Sequence, residues 1–314
     1  MRIDSPKMNI IRRACLKAAK SLIRDFGELE KLQVSSKNPG DFVSAADKKS
    51  EKIIIEELLK VNPNCGILSE ETGELNKKNK EERWIIDPID GTVNFLNGIP
   101  HFAISVGYEQ NGEIKCGIIF DPIKDEMFFA EKGLGAFLNN TRIRVSKQKK
   151  LTDSIIATGG PKFNSEQKNF ILKEYLKVSN IVHAPIRKFG SAALDIANVA
   201  CGRFDGFWQR ELKYWDVAAG IIILKEAGGF IDFIDNNEID YKVIAVPHWS
   251  PKSRYPRLSS IEDEHLKIYK QFFRIYKIDR ASTVKVGEWK NGKKASTVVI
   301  DAHNRWRSKN KKDA

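Results

Sequence analysis

The stretch WIIDPIDGT, residues 84–92, decides how the rest of the chain is interpreted. The apolar run at its start contains an aromatic and two β-branched residues, which predicts the buried end of a β-strand. Pro88 has no N–H to donate, so we expect strand pairing to stop there. Asp87 and Asp90 would then lie close together where the chain leaves the sheet.

This pair of carboxylates predicts a cation site. Two nearby carboxylates repel each other and resist joint ionisation unless a cation lies between them. Hard divalent ions such as Mg²⁺ bind oxygen clusters of this kind. Gly91 permits a turn, and a helix that begins near Thr92 would direct free N–H groups at a phosphate. The competing interpretation is that Asp-Pro and Asp-Gly are ordinary turn dipeptides. The complete run, with Thr92 in place, is less likely to occur by chance than either dipeptide alone.

Length and composition indicate a globular protein with a sizeable core. The 314 residues, 41% hydrophobic and 30% charged, are enough for one large α/β domain or two smaller ones. No apolar run approaches the roughly 20 residues needed to span a bilayer. The charged N-terminus lacks a secretory hydrophobic region, and the four cysteines are too scattered for a zinc or disulfide pattern. We therefore expect a cytoplasmic protein.

The net charge of +12 is concentrated near the C-terminus. Residues 247–314 contain 17 Lys and Arg against 7 Asp and Glu, whereas the rest of the chain contains 36 against 34. Trp and Tyr side chains are interleaved with these cations, a composition that can bind RNA through phosphate contacts and stacking. The alternative is a solvated or poorly ordered extension. Within it we expect a displaced terminal helix over residues 260–276 and a hairpin around residues 291–292.

Hydrophobic periodicity predicts the first elements of the body. An amphipathic helix is expected over residues 6–26, and a second begins at an S-x-x-D capping pattern that ends in Asp47. A short strand over residues 65–68 is followed by Ser-Glu-Glu. Glu70 is therefore expected one strand end before the central motif.

Beyond the motif, the pattern predicts a three-stranded meander and then alternating strands and helices. The polar segment 147–153 is expected to separate subdomains of about residues 1–150 and 151–246, with the extension at residues 247–314. The predicted strands cover about residues 102–109, 114–120, 126–131, 154–158, 181–187, 204–209 and 243–246. The predicted helices cover about residues 165–178, 192–201 and 216–227.

Two ordered signatures make the chain resemble the inositol monophosphatase family of magnesium-dependent, lithium-sensitive phosphatases. The first is the motif at residues 84–92, and the second is WDVAAG at residues 215–220. With Asp47 and Glu70 in the expected order, the resemblance covers about residues 10–234. It implies an α/β or α+β fold, a layered αβαβα sandwich of the sugar-phosphatase type, to which the basic C-terminal extension is added.

The resemblance also implies a role for each acidic residue. The implied ligands of Mg²⁺ are Glu70, Asp87, the backbone carbonyl of Ile89, Asp90 and Asp216. Asp87 would bridge two ions, and Glu70 would help to place the attacking water. Thr92, hydrogen-bonded to Asp47, would orient that water. By themselves, Asp47 and Asp216 are explained as helix caps, the usual role of an aspartate at the start of a helix.

The implied substrate is inositol monophosphate or a related small polyol, sugar or nucleotide phosphate. The implied contacts are Gly91, Thr92, Gly190, Ser191, Ala192 and Gln209, although residues 190–192 are also an ordinary helix-cap pattern. The family commonly has a glutamate where this chain has Gln209, and a neutral amide loses charge-assisted strength. Arg210 and Lys213 would add positive charge here and favour a second phosphate or a carboxylate.

A function from a different class stays open at this point. Some bacterial members of the family act with RNA in transcription complexes, so the chain could bind RNA or such a complex through the phosphatase fold and the basic tail. The intact set of acidic ligands favours hydrolysis instead. Family members commonly form homodimers, which no feature of this sequence tests.

Overall fold

A computed structural model describes most of the body of the protein. The described residues are 5–28, 34–38, 41–76, 79, 81–160, 165–166, 168–233 and 241–247. They all belong to one compact unit, Met1–His248. The helix and hairpin predicted within residues 247–314 lie outside the described residues, and the predicted subdomain and extension boundaries stay predictions.

The described residues form six α-helices and fourteen β-strands. The helices are α1 (Pro6–Phe26), α2 (Ala45–Leu59), α3 (Thr92–Leu96), α4 (Lys168–Ser179), α5 (Ala192–Ala200) and α6 (Tyr214–Glu226). The first strands are β1 (Val34–Asn38), β2 (Asp41–Ser44), β3 (Gly66–Ser69), β4 (Gly73–Leu75), β5 (Glu82–Asp90), β6 (Ala103–Gln110) and β7 (Glu113–Asp121). The remaining strands are β8 (Glu126–Glu131), β9 (Gly135–Leu138), β10 (Thr141–Arg142), β11 (Ile156–Thr158), β12 (Gly206–Leu212), β13 (Gly229–Phe233) and β14 (Tyr241–Pro247).

The strands form two larger sheets and one hairpin. An eight-stranded sheet has the order β10-β9-β8-β7-β6-β5-β3-β4, a four-stranded sheet has the order β11-β12-β14-β13, and β1 pairs with β2. In the first sheet β3 and β5 run parallel, whereas β5 to β8 form an antiparallel meander. The carboxyl ends of β3 and β5 therefore lie side by side, as the sequence predicted for Glu70 and the motif.

Helices cover both faces of the eight-stranded sheet. Helices α1 and α2 pack on one face, and α5 and α6 fill the space between the other face and the four-stranded sheet. Helix α4 contacts the outer side of β12 through a buried ion pair. The layers are thus helix, sheet, helix, sheet and helix, which confirms the αβαβα prediction.

Helix α1 shows why the sequence pattern is sufficient for some elements. Ser5 accepts a hydrogen bond from the N–H of Met8, and Pro6 occupies the first turn, where no N–H is needed. The apolar residues at helical spacing, including Ile11 and Leu22, are fully buried. The predicted bounds, residues 6–26, agree with the structure.

Helix α6 approaches the sheet closely because the facing strands carry glycine. A Cβ at Gly117 of β7 would lie 2.9 Å from the Cα of Ala219, and one at Gly107 of β6 would lie 3.3 Å from the Cβ of Ala218. Small residues on both surfaces therefore allow this contact. It brings the beginning of α6 to the end of β5.

Two predictions about strands were wrong. Strand β5 continues through Pro88 to Asp90, and the register with β6 shifts between Asp87 and Asp90. A bulge thus absorbs the residue that cannot donate to the ladder. Residues 181–187 form no strand; they make only an isolated bridge between Arg187 and Ala157. No helix among the described residues is long and apolar enough to cross a membrane.

Candidate active site

The candidate site lies where five elements meet at one edge of the large sheet. Strands β3 and β5 end there, and helices α2, α5 and α6 begin there. The acidic residues predicted as metal ligands come together at this edge although they are separated in sequence by up to 146 positions, from Glu70 to Asp216.

Asp87 is at the centre of the acidic cluster. Its side chain is buried, and its Oδ1 accepts a hydrogen bond from the N–H of Ile89 at 3.1 Å. Burial raises the pKa of Asp87 well above its usual value, and the charges of Glu70, Asp90 and Asp216 raise it further. A side-chain hydrogen bond with Glu70 raises this pKa as well. The four carboxylates are therefore close enough to interact strongly.

Asp90 is held against the beginning of α5. Its Oδ2 accepts hydrogen bonds from the hydroxyl of Ser191 and from the N–H of Ala193, the latter at 2.7 Å. Ser191 is also the N-cap of α5, as the helix-cap interpretation predicted. Burial raises the pKa of Asp90 to about 6, and these hydrogen bonds only partly offset that rise.

The turn that follows Asp90 connects the motif with α2 and with residues 190–192. The Oγ1 of Thr92 lies 3.0 Å from the Oδ1 of Asp47 and 3.0 Å from the carbonyl oxygen of Ile89. The hydrogen bond implied between Thr92 and Asp47 is therefore present. Gly91 has φ 99°, and a Cβ there would lie 3.2 Å from the carbonyl oxygen of Gly190. A side chain at position 91 would be both strained and crowded.

Asp216 lies in the first turn of α6. Its Oδ2 accepts a hydrogen bond from the N–H of Lys213 at 2.7 Å, so this aspartate caps its own helix. Its charge also acts on Asp87. The cap interpretation and the site interpretation are therefore compatible.

The chemistry of this donor set fits a divalent cation. Carboxylate oxygens are the ligands that Mg²⁺ prefers, and neighbouring carboxylates resist joint ionisation unless a cation lies beside them. The hydroxyl of Ser105, paired in register with Asp87, is buried without a hydrogen-bond partner among the described residues. No group of three or more His, Cys, Asp or Glu side chains in the described ranges is already arranged to hold a metal. A bound cation would offset the repulsion among Glu70, Asp87, Asp90 and Asp216.

Comparison with known proteins decides the family. A family model described as the inositol monophosphatase family matches residues 5–265. The chain belongs to the inositol monophosphatase family. It is a phosphoric monoester hydrolase of the inositol-phosphate phosphatase type, and the family is generally Mg²⁺-dependent.

Individual relatives of this family member carry two kinds of name. The inositol-1-monophosphatase of Rhizobium meliloti (strain 1021) is 52% identical over 226 residues, which are 72% of this chain and 85% of the relative. The Nus factor SuhB of Pasteurella multocida (strain Pm70) is 38% identical over 229 residues, which are 72% of this chain and 85% of the relative. A crystal structure of the extragenic suppressor protein suhB from Bartonella henselae superimposes with a TM-score of 0.76 and 44% identity, covering 87% of this chain and 99% of that one.

The residues expected beside the substrate at Gln209, Arg210 and Lys213 are called the substrate wall here. Arg210 differs from that expectation. Arg210 is buried and forms a two-pronged ion pair with buried Glu174 of α4, with its Nε 2.8 Å from the Oε2. Its guanidinium carbon also lies 4.1 Å from the ring centroid of Phe170. The expectation that Arg210 adds positive charge to the substrate wall was therefore wrong.

Gln209 occupies a tightly packed position beside that ion pair. A Cβ at Gly159 would lie 2.1 Å from the Gln209 carboxamide, so a side chain at residue 159 would displace Gln209. Strand β12 bulges between Gln209 and Leu212, and Glu211 has φ 62°. The bulge lets consecutive side chains depart from strict alternation.

Sequence reasoning missed the residues that support the ligands. Glu109, buried on β6, accepts hydrogen bonds from the Tyr214 hydroxyl and the Arg83 guanidinium. At the other end of α6, Glu226 accepts hydrogen bonds from the N–H groups of Gly133 at 2.7 Å and Gly135 at 2.8 Å. Both ends of the helix that carries Asp216 are therefore attached to the large sheet, by contacts between residues 91 or more positions apart.

On α2, Ser50 and Glu51 are also buried and hydrogen-bonded to the site turns. The available signal was their spacing: they follow Asp47 by three and four residues, the positions that share one helical face.

Proposed function

We propose that the protein is a Mg²⁺-dependent phosphomonoester hydrolase that acts on inositol monophosphate or a related small polyol, sugar or nucleotide phosphate. The observation that carries the proposal is the convergence of Glu70, Asp87, Asp90 and Asp216 at one edge of the sheet. These residues, with the carbonyl of Ile89, would hold Mg²⁺, and Asp87 would contact both ions of a pair.

Phosphate monoesters resist hydrolysis because a nucleophile must approach a dianion. When bound, a divalent cation lowers the pKa of water, shields the phosphate and stabilises the leaving oxygen. The protein then contributes mainly position and charge. The single proton of the Thr92 hydroxyl, donated to Asp47, leaves oxygen lone pairs free to accept a hydrogen bond from the attacking water. Glu70 would accept a hydrogen bond from the same water.

The phosphate would bind at the beginning of α3. The N-cap of this helix is Gly91, which has no side chain to accept from the first N–H groups, so the N–H groups of Gly91 and Thr92 would suit an anion. Residues 190–192 lie against Gly91 and Asp90 and would contact substrate hydroxyls. Gln209 would complete that wall with a neutral amide.

The experiment is a panel of phosphomonoesters assayed with and without Mg²⁺ in the full-length protein and in Asp90→Asn. We expect Mg²⁺-dependent release of phosphate by the wild type, inhibited by Li⁺, and no activity above background in Asp90→Asn with its fold retained by circular dichroism. Asp153→Asn is the matched control, because it makes the same chemical change at an exposed aspartate in the 3₁₀ helix Leu151–Asp153. Full activity of Asp90→Asn would refute the ligand assignment.

We also propose, as a second candidate, binding to RNA or to a transcription complex. The observation that favours it is the name Nus factor SuhB on relatives such as the Pasteurella multocida protein. Residues 247–314 supply a basic stretch with interleaved aromatic residues. The test is RNA binding by full-length protein across a salt series, compared with a variant in which Lys293, Lys294, Lys311 and Lys312 are replaced by Gln. Binding that weakens with salt and in the variant would support this role, and no binding at low salt would end it.

We also propose where the enzyme is located and how many subunits it has. A reducing cytoplasm is proposed from the four scattered cysteines, which are free in the structure. A homodimer is proposed only by analogy with the family. Size-exclusion chromatography with light scattering would decide the oligomeric state.

A further inference from the structure

Helix α2 buries polar residues as well as the apolar residues Ala46, Ile54 and Leu58. Ser50 and Glu51 lie three and four residues after Asp47, and the exposed fractions of Asp47, Ser50 and Glu51 are 0%, 0% and 3%. Charged residues are rarely buried to this extent unless their polar groups are satisfied. Hydrogen bonds to other parts of the protein must therefore satisfy these three side chains.

Each of the three residues binds backbone or side chain from a turn that carries a predicted ligand. Ser50 Oγ donates a hydrogen bond to the carbonyl oxygen of Pro88 at 3.1 Å, and Asp47 accepts one from Thr92. Both contacts hold the motif turn after Asp87. Glu51, one helical turn beyond Asp47, reaches the neighbouring turn after β3 instead.

Glu51 binds that second turn through both carboxylate oxygens. Its Oε1 accepts hydrogen bonds from the N–H groups of Glu71 at 3.1 Å and Thr72 at 3.2 Å, and its Oε2 accepts one from the Thr72 hydroxyl. The preceding N–H, that of Glu70, donates to the carbonyl oxygen of Ile86 at 3.2 Å. Consecutive N–H groups at residues 70, 71 and 72 are thus bound, the first by β5 and the next two by Glu51.

No Lys or Arg of the described chain forms an ion pair with Glu51. A buried carboxylate without a cation costs free energy, and hydrogen bonds to N–H and O–H groups are what offset that cost here. An apolar residue at this position would avoid the cost but would leave the turn without its anchor. The turn contains the predicted metal ligand Glu70.

We propose that Glu51 is a positioning residue that fixes the backbone of the Glu70 turn, so that the Glu70 carboxylate meets the ion held by the motif. The inference rests on the proposed function, because it assigns a purpose to the orientation of Glu70. Helix α2 is then hydrogen-bonded to both turns. Asp47 and Ser50 bind the motif turn, and Glu51 binds the Glu70 turn.

The experiment uses four full-length proteins: wild type, Glu51→Gln, Thr72→Val and Glu56→Gln. Glu51→Gln keeps the shape and one acceptor oxygen but removes the charge. Thr72→Val removes a single donor from an exposed side chain, so it remains informative if the buried substitution fails to fold. Glu56→Gln is the matched control, because it removes the same charge from an exposed position on the same helix.

Two readouts separate positioning from a merely structural role. Hydrogen exchange of the metal-free proteins should show faster exchange at residues 70–72 in Glu51→Gln, with α1 and β6 unchanged. Mg²⁺ affinity by calorimetry should fall by about 10- to 100-fold in Glu51→Gln, the range for residues that orient metal ligands, and by less in Thr72→Val. Glu56→Gln should match the wild type in both.

The proposal is overturned if folded Glu51→Gln binds Mg²⁺ like the wild type, or if exchange rises equally throughout the chain. It is also overturned if Glu51→Gln does not fold and Thr72→Val matches the wild type at residues 70–72. Lack of phosphatase activity in the wild type on every substrate would instead reject the proposed function. The exchange measurement would still decide whether Glu51 anchors the turn.

Discussion

Asp87 and Glu174 are both buried carboxylates, but their surroundings are opposite. Glu174 is paired with the equally buried guanidinium of Arg210, so its charge is balanced within the protein. Asp87 is surrounded by Glu70, Asp90 and Asp216, and its pKa is raised by burial and by their charges. The first arrangement leaves no unbalanced charge in the folded chain, whereas the second destabilises the folded chain unless a cation binds. The imbalance at Asp87 is therefore the mark of a functional site.

The largest effect is expected for Asp87→Asn, which removes the charge at the centre of the acidic cluster. We expect phosphatase activity to fall by roughly 10³-fold or more, since losing several kcal/mol of metal-ion stabilisation costs a factor of ten per ~1.4 kcal/mol. The free energy of unfolding of the metal-free protein should stay equal or rise, because a neutral amide removes like-charge repulsion. Phosphate-release assays and urea titration in chelator measure the two quantities. A large loss of metal-free stability would show that Asp87 is a structural residue.

The opposite result is expected for the balanced pair. Arg210→Ala should lower the free energy of unfolding by about 3 to 5 kcal/mol, because it leaves Glu174 buried and unpaired. Replacing both, as Arg210→Met with Glu174→Leu, should recover most of that loss. Thermal or urea unfolding measures the difference. If the single and double variants were equally unstable, packing rather than charge would hold α4 on β12.

Mg²⁺ binding should distinguish the Asp87 cluster from the Arg210–Glu174 ion pair. Saturation at about 100 times the dissociation constant should stabilise the wild type by ~2.7 kcal/mol, because the ion binds the folded chain only. The rise in Tm should be nearly absent in Asp87→Asn and fully retained in the Arg210→Met, Glu174→Leu double variant. Equal shifts in Tm for wild type and Asp87→Asn would place the ion elsewhere.

The smallest effect concerns a balanced pair at the surface. The Arg203 guanidinium, whose Nη1 lies 2.7 Å from the Glu126 Oε2, lowers the pKa of Glu126 below its usual value near 4.5. The unfolded chain therefore takes up this proton first as the pH falls, and the stability from the pair is present above pH 4.5 and lost below it. Because Arg203 is 43% exposed, the effect should be under about 1 kcal/mol. In Arg203→Gln, acid unfolding should show a correspondingly flatter slope below pH 4.5; an unchanged slope would assign the pair no role.

The sequence predicted elements whose pattern is local. The bounds of α1 follow from Ser5, Pro6 and helical spacing, and the meander follows from alternation. The family resemblance implied the contact between Thr92 and Asp47, which is present. These features depend on neighbours in sequence or on a motif that recurs in a family.

What the sequence could not predict depends on partners that are distant along the chain. Arg210 was expected at the substrate wall because its charge is visible in sequence, whereas its partner Glu174 is 36 positions away. Glu51 was indistinguishable from a solvated helix charge until its contacts with residues 71 and 72 were known. Residues 181–187 have the composition of a strand but make only one bridge.

We expect four carboxylates from three parts of the fold to surround a cation: Glu70 follows β3, Asp87 and Asp90 lie on β5, and Asp216 lies on α6. The most direct measurement is a crystal of the full-length protein soaked with Mn²⁺ and phosphate, recorded at the manganese absorption edge. We expect an anomalous peak in contact with Asp87 and Asp90, within reach of Glu70 and Asp216, with phosphate at the N–H groups of Gly91 and Thr92. Ordered carboxylates with no anomalous peak among them at saturating Mn²⁺ would contradict it.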